Sequence, residues 1–79
     1  MFMTIRALFA RNLRSLRQER GLSQEALARA ADIDRIYISG LERGTSGATI
    51  DMVDKLALVL GVEPAALLQR PRVSRRTKG

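Results

Sequence analysis

Apolar residues recur along this chain at helical spacing, and Ser, Thr or Asp stands before most of the runs. Ile5, Leu8/Phe9, Leu13 and Leu16 follow Thr4 at intervals of three to four, and Gly21 stops the run after Arg20. Ser23 caps a second helix, Gln24 to Ala31, with Leu22 placed as the outer half of a hydrophobic staple. Asp34 caps a third, Arg35 to about Arg43, which Gly44 ends. Thr45-Ser46-Gly47-Ala48 reads as a loop. Thr49 then caps a fourth helix that turns Ile50, Val53, Leu56/Ala57 and Leu60 inward, and Gly61 closes it. Pro64 opens a short fifth helix through Leu68, where its fixed φ and missing N–H suit a first turn. No stretch alternates with period two, so the expected fold is all-α, a compact bundle of five helices.

The second and third helices are short, and only Asp32-Ile33 and the cap Asp34 lie between them. Leu27, Ala28, Ala31, Ile33, Ile38 and Leu41 must face one another, and Ala28 is small where two helices cross closely. Such a pair is a helix-turn-helix, in which the second helix stands out to enter a DNA major groove.

Length and composition narrow the chemistry. At 79 residues the chain is one domain, near the size at which a single apolar core still suffices. It has no Cys and no His, which removes a disulfide framework, thiolate zinc sites, the cysteine nucleophile and the usual general base. Eight carboxylates remain, but no phosphate loop or paired-acid motif accompanies them. An enzyme is not expected, nor a cofactor or metal. No apolar run approaches the ~20 residues of a membrane span, and Arg6 and Arg11 interrupt any leader-like segment. The expectation is a cytoplasmic protein with no membrane partner.

The net charge of +6 suits a polyanion, and its distribution is uneven. Arg70, Arg72, Arg75, Arg76 and Lys78 crowd the last ten residues, where Val73 is the one aliphatic side chain. Residues 1–69 are therefore expected to be the folded domain, and 70–79 a basic, disordered tail. Within the body, Arg11, Arg14 and Arg17 read as a solvated face of the first helix, the other reading being that one of them lies near the DNA backbone. Glu42 beside DNA would repel it, so it is expected to pair internally with an Arg of that helix.

The segments Ser23-Gln24-Glu25-Ala26-Leu27-Ala28 and Asp34-Arg35-Ile36-Tyr37-Ile38-Ser39-Gly40-Leu41-Glu42-Arg43-Gly44 resemble the Cro/phage-repressor (XRE-type) helix-turn-helix family, with its lambda-repressor-like fold. The block around Asp34 to Arg43, with Thr49-Ile50 after it, is most similar to the controller proteins of restriction–modification systems. The resemblance covers about residues 5–68. The chain departs from it twice. Asp32 stands where a turn Gly is usual, a residue that tolerates the left-handed conformation better than most, so the turn is expected to survive at some cost. Ser46-Gly47 stands where controllers often carry Arg-Asn.

The resemblance implies a sequence-specific regulator that binds palindromic operators in double-stranded DNA as a homodimer, with RNA polymerase as a further partner. The other readings are a prophage, plasmid or antitoxin repressor of the same fold, and a protein-interaction module that has lost DNA binding. Gln24, at the start of the second helix, is the candidate for a phosphate; its plain reading is a first-turn helix former. Arg35 has the fork that bridges guanine O6 and N7, against an ion pair with Asp34 or Asp32. Ile36 lies nearest the bases by family analogy, where an aliphatic side chain touches a thymine methyl. Gly40 leaves room for close approach. Ser39 and Arg43 are phosphate candidates, and Tyr37 is either a phosphate donor or a half-buried prop. Met52, Val59, Leu67 and Leu68 form a candidate dimer interface, unless the fifth helix covers them within one subunit.

Overall fold

The computed structural model describes residues 3–70, and within them the chain forms five helices and no strands: α1 (Ile5–Glu19), α2 (Gln24–Ala31), α3 (Arg35–Arg43), α4 (Ile50–Leu60) and α5 (Pro64–Leu68). Of the tail expected over 70–79, residues 71–79 lie outside the described residues. Each of the first four helices begins at the side chain expected to cap it. Thr4 Oγ1 accepts from the Ala7 N–H at 3.1 Å, Ser23 Oγ from Ala26 at 2.9 Å, Asp34 Oδ1 from Ile36 at 2.9 Å and Thr49 Oγ1 from Met52 at 3.1 Å. Each bond satisfies one of the amide donors that a helix start leaves open, and such caps contribute ~1 kcal/mol apiece.

The turn between α2 and α3 rests on Asp32. Its φ of 56° and ψ of 47° are left-handed, the conformation the usual Gly adopts without strain. The Ile33 N–H then reaches back to the Ala28 carbonyl at 2.9 Å, which closes α2 and drops Ile33 into the core. Gly44, at φ 77°, ends α3 in the same way.

The core is one cluster. Phe9 and Leu13 of α1, Leu27, Ala28 and Ala31 of α2, Ile38 and Leu41 of α3, Leu56, Ala57 and Leu60 of α4 and Leu67 of α5 all bury against one another, with Ile33. α1 packs on α3 and α5, and α2 on α3 and α4, so α3 is backed by two helices while its outer face stays open. Leu22 packs on the same cluster, as the staple requires.

Two sequence expectations fail here, those for Ile50 and Leu67. Ile50 continues the inward stripe of α4 on a helical wheel, yet it is 87% exposed, because no element packs over the first turn of that helix on that side. Ile5 is likewise exposed at the start of α1. Leu67, expected on a dimer patch, is fully buried at 0% exposure: α5 folds back on α1 and α4 and turns this residue into the core. Asn12 helps to fix that docking, since its Nδ2 donates to the carbonyls of Leu67 at 2.9 Å and Gln69 at 2.8 Å.

Candidate nucleic-acid interface

The outer face of α3 carries the residues expected to meet DNA. Burial of Ile38 and Leu41 fixes the rotation of the helix about its axis, so Arg35, Ile36 and Arg43 are left exposed and Ser39 half-exposed. Ile36 is 72% exposed, a large aliphatic side chain standing in solvent on the third helix's first turn. Arg35 forms no ion pair with Asp32 or Asp34, which leaves its guanidinium fork available. Arg43 Nη1 donates to Ser39 Oγ at 2.5 Å, so these two phosphate candidates already share one position on the helix.

Ile36, Tyr37, Gly40 and Arg43 line one open groove together with Asp32, Ile33 and Asp34 from the turn, Ser46 from the following loop and Met52 and Lys55 of α4. Met52 therefore borders the α3 face. Val59 is half-buried against the core.

Two of the expected contacts serve the protein itself. Gly40 is buried, and a β-carbon there would come 2.6 Å from Ser46 Oγ and 3.3 Å from Ser46 Cβ. The space that the missing side chain leaves is filled by the protein's own loop and not kept for DNA. The Gly40 carbonyl also accepts from the N–H groups of Thr45 and Ser46 at 3.0 and 3.3 Å. Tyr37 donates its hydroxyl to the Gly47 carbonyl, the prop role of its two readings. Together these bonds clamp the α3–α4 loop to the helix.

Gln24 sits at the N-terminus of α2, and its place is set by Glu42. The carboxylate is buried, with 3% side-chain exposure, and Arg17 spans it from α1: Nε to Oε2 at 2.5 Å and Nη2 to Oε1 at 2.9 Å. Arg17 Nη1 also donates to the Leu22 carbonyl at 2.8 Å, and Gln24 Nε2 donates to Glu42 Oε1 at 3.0 Å. The guanidinium is held above its ordinary pKa by the hydrogen bond to Glu42, against the opposing cost of burial. Glu42 pairs internally as expected, but Arg17 is not part of a solvated face: its side chain is only 12% exposed. Gln24 is thus half-buried and tied to the protein by one hydrogen bond of its amide, whose nitrogen carries two donors.

Sequence reasoning missed the Gln24–Glu42 bond and the Asn12 clamp. Neither has a short-range signal, since the partners are 18 residues apart in one case and 55 or more in the other.

Among the described residues no helix is long and apolar enough to cross a membrane, and no three His, Cys, Asp or Glu side chains gather as metal ligands would.

Comparison with known proteins agrees with this geometry. Residues 13–67 match the helix-turn-helix family HTH_3. Control protein C.BamHI from Bacillus amyloliquefaciens is 42% identical over 69 residues, covering 86% of this chain and 85% of its own. The restriction-modification controller protein C.AhdI from Aeromonas hydrophila superposes with a TM-score of 0.76 at 42% identity, over 78% of this chain and 94% of that one. A hypothetical transcription factor from Neisseria superposes with a TM-score of 0.83 at 40% identity, over 86% and 78% of the two chains. With its capped helix pair, its exposed third helix and these relatives, the chain belongs to the helix-turn-helix family of DNA-binding transcriptional regulators, with restriction–modification controller proteins among its close relatives.

Proposed function

We propose that this protein is the controller of a restriction–modification system, a cytoplasmic regulator that binds palindromic operators near its own promoter as a homodimer. The observation that carries the reading is α3 itself. Arg35 and Ile36 stand unpaired on its first turn, Ser39 and Arg43 follow one and two turns on, and α1 and α2 hold the helix out from behind. Arg35 reads guanine through its fork, Ile36 meets a thymine methyl, and Arg43, Ser39 and Gln24 bind phosphates that set the register.

One such module reads few base pairs, and a two-fold dimer places two copies of α3 about one DNA turn (~34 Å) apart. The surface that supports dimerisation differs from the patch expected from sequence. Val53 and Leu68 line two adjoining apolar grooves, one with Ile5 and the other with Ile50, Pro64 and Ala65. Ile5, Ile50, Val53 and Leu68 thus make a continuous apolar surface on one side of the subunit, of the self-complementary kind that closes a dimer. Regulation follows by position: occupancy beside the promoter recruits RNA polymerase, and occupancy over it excludes the enzyme.

Selection of genomic fragments with the purified protein, followed by mobility-shift titration, tests the reading. Arg35→Ala is expected to cost ~1–3 kcal/mol of specific binding and to relax discrimination at one operator position. Gln24→Ala is expected to weaken binding alike across sequences. If Arg35→Ala binds the selected fragment as tightly as wild type, α3 is not the reader.

A further inference from the structure

The α3–α4 loop carries no cation, yet one lies upon it. A β-carbon at Gly47 would come 3.2 Å from both Nε and Nη2 of Arg6 and 3.5 Å from its Cζ. The guanidinium of α1 therefore turns its Nε–Nη2 edge toward the bare face of Gly47, in the space a side chain there would occupy. The seat is firm, because Tyr37 holds the Gly47 carbonyl and the Gly40 carbonyl holds Thr45 and Ser46. Arg6 itself is exposed and makes no ion pair or side-chain hydrogen bond among the described residues. Its place is at the border of two surfaces: Ser46 lines the groove with Ile36, Tyr37 and Arg43, and also the groove in which Arg6 and Gly47 meet Ile5, Val53 and Leu68 of the proposed dimer face.

We propose that Arg6 is a phosphate-binding residue, clamping the DNA backbone beside the segment that α3 reads. The inference rests on the DNA-binding reading of α3. A guanidinium seated by one edge against a fixed loop loses little freedom on binding, and the N–H groups of its Nη1–Nη2 end suit two phosphate oxygens. It reads no sequence. Its contribution is register and salt-dependent affinity, the same on any duplex.

The test is a salt titration by fluorescence anisotropy with the full chain, on a fragment recovered by the genomic selection and on a mixed-sequence duplex of equal length. Arg6→Ala removes one phosphate contact per subunit, so the slope of log affinity against log salt is expected to fall in magnitude by about 0.9 per subunit bound. The fall is expected on both duplexes, with the melting temperature and the dimer seen in sedimentation velocity unchanged; loss of the dimer in Arg6→Ala would overturn the proposal. Arg11→Ala removes the same charge from another side of α1 and is expected to leave the slope as it was. An unaltered slope for Arg6→Ala, or an equal fall for Arg11→Ala, would overturn the proposal while leaving the α3 reading intact. A wild-type chain that binds neither duplex would overturn both.

Discussion

Arg17, Gln24 and Glu42 join three helices through one buried carboxylate. A lone anion in that position would carry a desolvation cost of several kcal/mol, and the bidentate guanidinium offsets it. Arg17→Met leaves Glu42 buried with only the Gln24 amide, so it is expected to destabilise the fold by ~3–5 kcal/mol in urea unfolding. The double variant Arg17→Met/Glu42→Leu is expected to regain most of that loss, since two apolar side chains fill the site without a charge. That Glu42 would pair with the first helix was legible, because an acid on a DNA-reading helix needs a partner. Which Arg it chose was not. Arg11, Arg14 and Arg17 are the same residue type on one helix, and only the packing of α1 on α3 brings Arg17 against the carboxylate. Gly40 teaches the same lesson. Its place in a helix interior signalled a close approach, but the body that approaches is Ser46 of its own chain.

At the scale of elements, the helices were legible because their ends are written locally. A cap bond spans two or three residues, so Ser23 and Asp34 mark the starts of α2 and α3 without reference to the rest of the fold. The turn at Asp32 is equally local, and it is strained: a left-handed conformation costs a residue with a β-carbon more than it costs Gly, although Asp tolerates it better than most. Asp32→Gly is expected to stabilise the domain by about 0.5–1 kcal/mol, read as a higher melting temperature, because relief of the strain exceeds the added freedom of the unfolded chain. A lower melting temperature would mean that the Asp32 side chain contributes more than its backbone costs. Ile50 marks the limit of such reasoning. Periodicity says which way a residue points along its own helix but not whether another helix is there to meet it. At the first turn of α4 none is.

For the whole molecule, the apolar surface of Ile5, Ile50, Val53 and Leu68 bears on assembly, and the charge bears on affinity. Ile50→Asp and Leu68→Asp place carboxylates on residues that are 87% and 43% exposed, so the subunit fold is expected to survive both. Sedimentation velocity at tens of micromolar is expected to show a dimer for wild type and a monomer for either variant. Operator binding is expected to fall with dimerisation, because two weak half-site contacts no longer act together. A dimer that persists in both variants would place the interface elsewhere. The +6 total guided less than its placement. Most of the excess falls after Gln69, while the binding face has Arg35, Arg43 and the proposed Arg6, with Glu42 turned inward.

By itself the sequence determined what depends on near neighbours: five helices, their caps, the left-handed turn at Asp32 and the identity of α3 as the exposed member of a helix-turn-helix. Those features are set by backbone sterics and by hydrogen bonds between residues a few positions apart, so a linear string contains them. Tertiary structure alone decided which cation neutralised Glu42, that Gln24 was tethered to it, that Leu67 entered the core while Ile50 stayed outside, and that Arg6 came to rest on Gly47. Each of those depends on two elements meeting, and the meeting is governed by how five helices share one small core.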